Sequence, residues 1–161
     1  MCLNELGYKA ISLTGWQLPI KTNDNYNDAN ISSINLDRIF FELKNKKIVI
    51  VAGFQGINKN NDICTLGRGG SDTTAVVLAA ALNAERCDIY TDVDGVYDKD
   101  PKKDISAKKI QTINYDNMLE LANSGAKVLH NKCVEMAKKF KVPIFVKSSF
   151  EENPIGTYVG D

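Results

Sequence analysis

The sequence predicts an α/β fold of three layers, α/β/α, with helices on both faces of a mainly parallel sheet. Three observations carry that expectation. Ile48-Val49-Ile50-Val51-Ala52 is an unbroken apolar run, the pattern of a strand covered on both faces. Leu36, Ile39, Phe40 and Leu43 recur at helical spacing just before it. Glycine-rich and acidic loops then follow the apolar runs, at the places where strands of such a sheet pass into helices.

Taken in order, Leu3 and Leu6 followed by Gly7 read as the last turn of a helix and its glycine stop. That stump without a beginning is read as a fold incomplete at its N-terminus. Lys9 to Leu13 is the first strand, and it leads to Thr14-Gly15-Trp16-Gln17, where Trp16 is either core or pocket wall. Residues 20–30 are rich in Asn and Asp and read as turns. A helix capped by Asn35 and stopped at Asn45 precedes the strand at 48–52. An alanine-rich helix runs from the loop at 67–72 to about Leu82, and Cys87 to Thr91 is the next strand. Two helices, one centred on 118–122 and one over about 129–140, lead to a last strand at 142–147. His130 falls on the second of them, in a structural role. Residues 1–150 are read as one domain and 151–161 as a linker leaving it.

Composition narrows the function. Twenty basic and twenty acidic residues give a formal net charge of zero, which argues against broad attraction to nucleic acid or an anionic membrane. No apolar run approaches the ~20 residues that span a bilayer. Cys2, Cys64, Cys87 and Cys133 are far apart and only one histidine is present, which suits neither a zinc site nor a disulfide framework. Reduced thiols in a cytoplasmic protein follow, and no residue is assigned to a metal.

Two loops carry the chemistry. In Gly67-Arg68-Gly69-Gly70-Ser71-Asp72 the glycines allow a ligand close to the backbone, and the amides of the following helix attract an anion. Arg68 adds a planar fork for a carboxylate or phosphate, Ser71 is a natural N-cap, and Asp72 sits in the first turn. The third glycine of a dinucleotide fingerprint is replaced by Asp72, which excludes that cofactor site. The second loop, Thr91-Asp92-Val93-Asp94-Gly95-Val96-Tyr97 through Asp100-Pro101-Lys102, carries aspartates that on their own read first as a solvated turn, and otherwise suit ribose hydroxyls or Mg²⁺ through water. Lys127, just after Gly125, is either a phosphate ligand or a surface lysine.

Together these segments resemble the aspartate kinases of the amino acid kinase superfamily. The matching stretches are Val51-Ala52-Gly53-Phe54-Gln55-Gly56, Thr65 to Ala75, Tyr90 to Tyr97, Gly125-Ala126-Lys127-Val128-Leu129-His130 and Val146-Lys147-Ser148-Ser149-Phe150. The likeness runs nearly end to end. It implies the amino acid kinase fold and transfer of the γ-phosphoryl group of ATP to the side-chain carboxylate of L-aspartate, with Mg²⁺. By position, Arg68, Gly69, Gly70 and Ser71 would hold aspartate, with Phe54 lining its pocket. Ser71, Thr91, Asp92, Tyr97, Asp98, Lys99, Asp100, Pro101 and Lys102 would hold the nucleotide. Lys127 would touch the phosphates, and Asp72 would orient the catalytic lysines.

Two departures stand out: Lys102 replaces the family's usual arginine, and Asn131-Lys132 replaces Pro-Arg. The family's Lys-x-Gly-Gly-Thr-Ser element does not occur in the sequence, so this chain alone is expected to be inactive or nearly so. Residues 151–161 would lead toward regulatory ACT domains, and a homo-oligomer is the expected assembly. A relative acting on glutamate or N-acetylglutamate, or a non-catalytic nucleotide-binding module, are the other readings.

Overall fold

Residues 2–101, 103–124, 128–152 and 154–161 are described by the computed structural model. They fall into two compact units, residues 1–71 and 72–161.

In the first unit the chain runs through α1 (Cys2–Glu5), β1 (Ala10–Leu13), β2 (Ile20–Thr22), β3 (Ile31–Ile34), α2 (Asp37–Lys44), β4 (Ile48–Val51), β5 (Gln55–Ile57) and β6 (Ile63–Thr65). β1 and β4 pair in parallel, Ala10 opposite Ile48 and Leu13 opposite Val51. The other strands make a four-stranded sheet in the order β3-β2-β5-β6, whose outer pairings are antiparallel. Its four strands were not foreseen, because runs of three or four residues are too short to show alternation. The expectation that residues 48–52 are covered on both faces is corrected: Ile48 and Ile50 are 43% and 40% exposed, so one face of β4 lies open. Asn35, expected as the N-cap of α2, sits one residue earlier than the cap position at Leu36. Its Oδ1 still accepts from the Asp37 amide at 2.8 Å.

The second unit takes in most of α3 (Gly70–Ala81), then β7 (Cys87–Thr91), β8 (Val96–Tyr97), β9 (Lys109–Ile110), β10 (Thr112–Ile113), α4 (Tyr115–Asn123), α5 (Asn131–Phe140), β11 (Ile144–Ser148) and β12 (Thr157–Val159). β7 and β11 are parallel over five residues, and the sheet order is β10-β12-β11-β7. Alternation sorts its faces. Cys87, Ile89, Ile144 and Val146 enter one core with Val76 and Ala79 of α3, Met118 of α4, and Cys133, Val134 and Ala137 of α5. Asp88, Tyr90, Phe145 and Lys147 alternate with them, and Lys147 Nζ is 2.8 Å from Asp88. The reading of 151–161 as a linker fails over its last part. Thr157–Val159 are an interior strand of this sheet, and Thr157 and Val159 are fully buried.

α1, α2, α3 and α5 end alike, with a left-handed residue and paired backbone bonds that satisfy the last carbonyls. Gly7 plays that part after α1, with Tyr8 N donating to Leu3 O at 2.9 Å. Lys46, Asn83 and Lys141 take the same conformation without being glycine. His130 is the N-cap of α5 rather than a residue of the helix, its Nδ1 accepting from the Lys132 amide at 3.4 Å.

Candidate active site

In the first unit, two loops meet beside the start of α3. The first follows β4 and reaches Phe54, whose φ is +70°. A bulky residue in the left-handed region costs on the order of 1–3 kcal/mol, and such strain concentrates at functional sites. The second follows β6, where Gly67 and Gly69 both have φ of +72° and flank exposed Arg68. Leu66 N donates to Phe54 O at 2.9 Å and ties the loops together. Gly70 completes the fit: a Cβ there would lie 2.8 Å from Leu66 Cβ and 2.9 Å from Phe54 Cδ2. Phe54, Arg68, Gly69, Gly70 and Ser71 are thus brought together locally. Ser71 corrects one expectation: α3 begins at Gly70, so Ser71 lies inside the first turn and is not its N-cap.

The Asn- and Asp-rich stretch read as turns turns out to buttress this site. Thr65 N donates to Tyr26 O at 2.7 Å, and Ala29 N donates to Thr65 O at 2.9 Å. Tyr26 OH donates to Asp62 at 2.7 Å, and Asn58 Nδ2 reaches both Asp62 and the Tyr26 hydroxyl. The hydrogen bond to the Asp62 carboxylate pushes the Tyr26 phenol above its ordinary pKa. A Cβ on Gly67 would meet the Asp28 carboxylate, and the φ of +72° there itself favours glycine. Sequence reasoning missed Tyr26 and Asp28. Nothing local distinguishes them from turn residues, because the strand they clamp lies some forty positions on.

In the second unit, Asp72 acts electrostatically on two buried thiols. Burial raises the Cys87 pKa to about 11, with help from Asp88 and Asp72. Burial likewise raises Cys133, and Asp72 is the next cause. These are inert thiols packed beside a carboxylate, not nucleophiles.

The C-terminal end of β7 carries Thr91 and exposed Asp92. Thr91 Oγ1 donates to Asp92 Oδ1 at 3.2 Å, and Thr91 O accepts from Ser149 N and Oγ at 2.8 and 2.9 Å. Beyond it, β8 and β9 form a hairpin, Val96 opposite Ile110 and Tyr97 opposite Lys109. Asp94 holds its base, accepting from Tyr97 OH and from Lys109 Nζ, both at 3.1 Å. Burial favours the neutral acid at Asp94, but Lys109 and then Tyr97 outweigh it and hold the carboxyl below its ordinary range. Burial first, and then Asp94, raises the Tyr97 phenol.

The loop of this hairpin presents exposed Asp98, Lys99, Asp100 and Pro101. Asp98 Oδ1 accepts from Lys108 N at 2.7 Å, and Lys99 pairs with Asp104 at 2.9 Å. So Thr91, Asp92, Tyr97, Asp98, Lys99, Asp100 and Pro101 share one strand exit and its hairpin. Lys102 and Lys127 lie outside the described residues. Trp16 is 60% exposed and walls a groove of about 780 Å³ with Pro19, Lys21, Ile34, Ile57 and Ile63, which none of the expected site residues lines.

A model of the amino acid kinase family matches residues 1–148. An aspartokinase of Geobacillus stearothermophilus is 58% identical over 159 residues, which is 99% of this chain and 39% of that protein. Aspartokinase 2 of Bacillus subtilis is 56% identical over 151 residues, 94% of this chain and 37% of that one. The crystal structure of E. coli aspartokinase III in complex with aspartate and ADP superposes with a TM-score of 0.89 at 36% identity. The match covers 99% of this chain and 36% of that chain. The chain therefore spans a little under two fifths of the length of the curated relatives it matches. A family match over nearly its whole length places this chain in the amino acid kinase family.

Proposed function

We propose that the chain is part of an aspartate kinase, transferring the γ-phosphoryl group of ATP to the side-chain carboxylate of L-aspartate. The carrying observation is the turn built by Phe54, Arg68 and Gly70, strained and close-packed, at positions to which the resemblance assigns aspartate. The solved relative that contains aspartate and ADP supports the same pairing of ligands.

The chemistry follows from charge. An aspartate carboxylate, with a reference pKa near ~3.9, is ionised at neutral pH, so its oxygen attacks without a general base. A new C–O–P linkage forms as the bond from the γ-phosphorus to the bridging oxygen breaks, and ADP leaves with that electron pair. What the protein supplies is alignment of two anions and neutralisation of the charge that spreads over the phosphoryl group. Arg68 holds the α-carboxylate through its fork, and the amides of Gly69, Gly70 and Ser71 face the ligand at the start of α3. Phe54 walls the pocket. Thr91, Asp92, Tyr97 and the hairpin loop hold the nucleotide, Lys127 meets its phosphates, and Asp72 orients the lysines.

Among the described residues no three carboxylate, imidazole or thiol groups gather to hold a metal. Mg²⁺ would enter carried on the nucleotide's phosphates, the usual arrangement in kinases, where the ion adds charge neutralisation. The product is an acyl phosphate at the head of lysine, threonine and methionine synthesis, made in the cytoplasm by a homo-oligomer. No helix among the described residues is long and apolar enough to cross a membrane.

Calorimetric titration of L-aspartate and MgADP tests the assignment. Arg68→Ala is expected to weaken aspartate binding about 10- to 100-fold, the loss for a charged hydrogen-bonding partner, with MgADP unaffected. Lys127→Ala is expected to do the reverse. Aspartate binding that survives Arg68→Ala would refute the Arg68 assignment, and preferential binding of glutamate would change the substrate.

A further inference from the structure

Thr157 sits on β12 with no exposed surface, and its hydroxyl is used twice. Val96 N donates to Thr157 Oγ1 at 2.8 Å, and Thr157 Oγ1 donates to Ile110 O at 2.6 Å. Val96 and Ile110 are directly opposed across the hairpin of β8 and β9. One side chain from the main sheet therefore fastens both strands of a separate two-stranded ribbon, and that ribbon presents Tyr97 to Pro101. The fit is close on the other side too. Gly95 has φ of +153°, and a Cβ there would lie 2.7 Å from both Thr157 Oγ1 and Lys109 Cε. β12 is itself held firmly, paired with β11 on one edge and with β10 on the other.

A two-stranded ribbon of two residues a side is not stable alone in water. Asp94, Tyr97 and Lys109 bind one another within the segment 94–109, and Val96 and Ile110 pack into the core formed with Ile144, Val146 and Val159. Apolar packing alone is not directional, and the Thr157 hydroxyl adds the two directed bonds that fix the register of the hairpin on the sheet. It is both donor and acceptor, which suits a residue that must satisfy one N–H and one C=O at once. Its β-branch leaves χ1 few choices, so the hydroxyl is aimed before the hairpin arrives.

We propose that Thr157 is a positioning residue for the nucleotide, setting the hairpin at the height and angle from which Tyr97 to Pro101 meet the ligand. The inference rests on the nucleotide reading above and adds to it a residue of the last strand that does not touch the ligand. Thr157→Val keeps the volume and removes both bonds, and Thr157→Ser keeps the hydroxyl.

Titrating MgADP and L-aspartate into the 161-residue chain and its variants tests this. Thr157→Val is expected to weaken MgADP roughly three- to tenfold, about the worth of one or two hydrogen bonds, while Thr157→Ser stays within about twofold. Aspartate affinity is expected to stay unchanged in both variants, which unfolding of the whole chain would not allow. Equal MgADP affinity in all three proteins, or equal losses for both ligands, overturns the inference while leaving the nucleotide reading intact. No MgADP binding by the unaltered chain overturns both. If Thr157→Val does not fold, amide exchange on the unaltered chain decides. The Val96 amide is expected to be as protected as those of β11, and exchange at the rate of the exposed loop contradicts the anchoring.

Discussion

At the scale of single residues, the site is made from groups chosen for what they lack as much as for what they carry. Gly70 has no side chain because Leu66 Cβ and the Phe54 ring already fill that space. Gly70→Ala would need a backbone shift, since one of the blocking atoms is a Cβ and cannot swing aside. Overpacking of that kind costs about 1–3 kcal/mol. A urea titration is expected to show that loss for Gly70→Ala with little change in slope, and unchanged stability would mean the loop has room that the coordinates deny it. Arg68, Gly69 and Gly70 were read as a ligand-binding turn because nothing structural calls for an arginine between glycines. The strain at Phe54 was not legible, since φ is a property of the closed loop and no residue type announces it. Tyr26, Asp28 and Thr157 were invisible for a related reason: each acts on a segment distant in sequence, and each looked locally like a turn or tail residue.

Elements show where local signals suffice. The strands at 10–13, 48–51, 87–91 and 144–148 and the helices from 37, 70, 115 and 131 were all foreseen, because each has a clear period or an apolar run of sufficient length. β2, β3, β5, β6, β8, β9, β10 and β12 were not, because two to four residues carry no period. α2 adds a case in which tertiary geometry overrode pattern. Glu42 lies on its buried face, 1% exposed, between Arg38 and Lys47, each 2.7 Å away. The hydrogen bond from Lys47 lowers its pKa most, burial opposes that, and Arg38 lowers it further. A lowered carboxyl pKa stabilises the fold fully above the ordinary glutamate value, near ~4.3, and that contribution is lost as pH falls through the lower folded value. Glu42→Gln is therefore expected to be less stable than the unaltered chain at pH 7, with the gap closing as the pH is lowered toward 3. Thermal melts across that range check it, and a gap that stays constant or widens in acid would contradict the pairing.

For the whole molecule, the fold class and family were readable from a few motifs in a fixed order, while the architecture around them was not. Opposite charges balance at twenty each, so any attraction for a phosphorylated ligand is local to a site and is not a field of the entire chain. Each unit has its own buried side chains, Leu66 and Cys64 among those of the first and Ile144 and Val134 among those of the second. The second also draws its last strand from a tail that composition had marked as a linker. Residues 151–161 were read as a departing chain, but Tyr158 N donates to Gln111 O and Gly160 N to Ile113 O, which ties the tail to the sheet edge.

The claim on which the account depends is a division of labour, with the Phe54 and Gly67–Asp72 loops serving aspartate and the β7 exit with its hairpin serving the nucleotide. Amide spectra of the isotope-labelled chain, recorded as each ligand is added separately, test it most directly. L-Aspartate is expected to move the signals of Phe54 and of residues 67–72, and MgADP those of residues 91–101. Movement of neither set, or of the two sets by the opposite ligands, would contradict it.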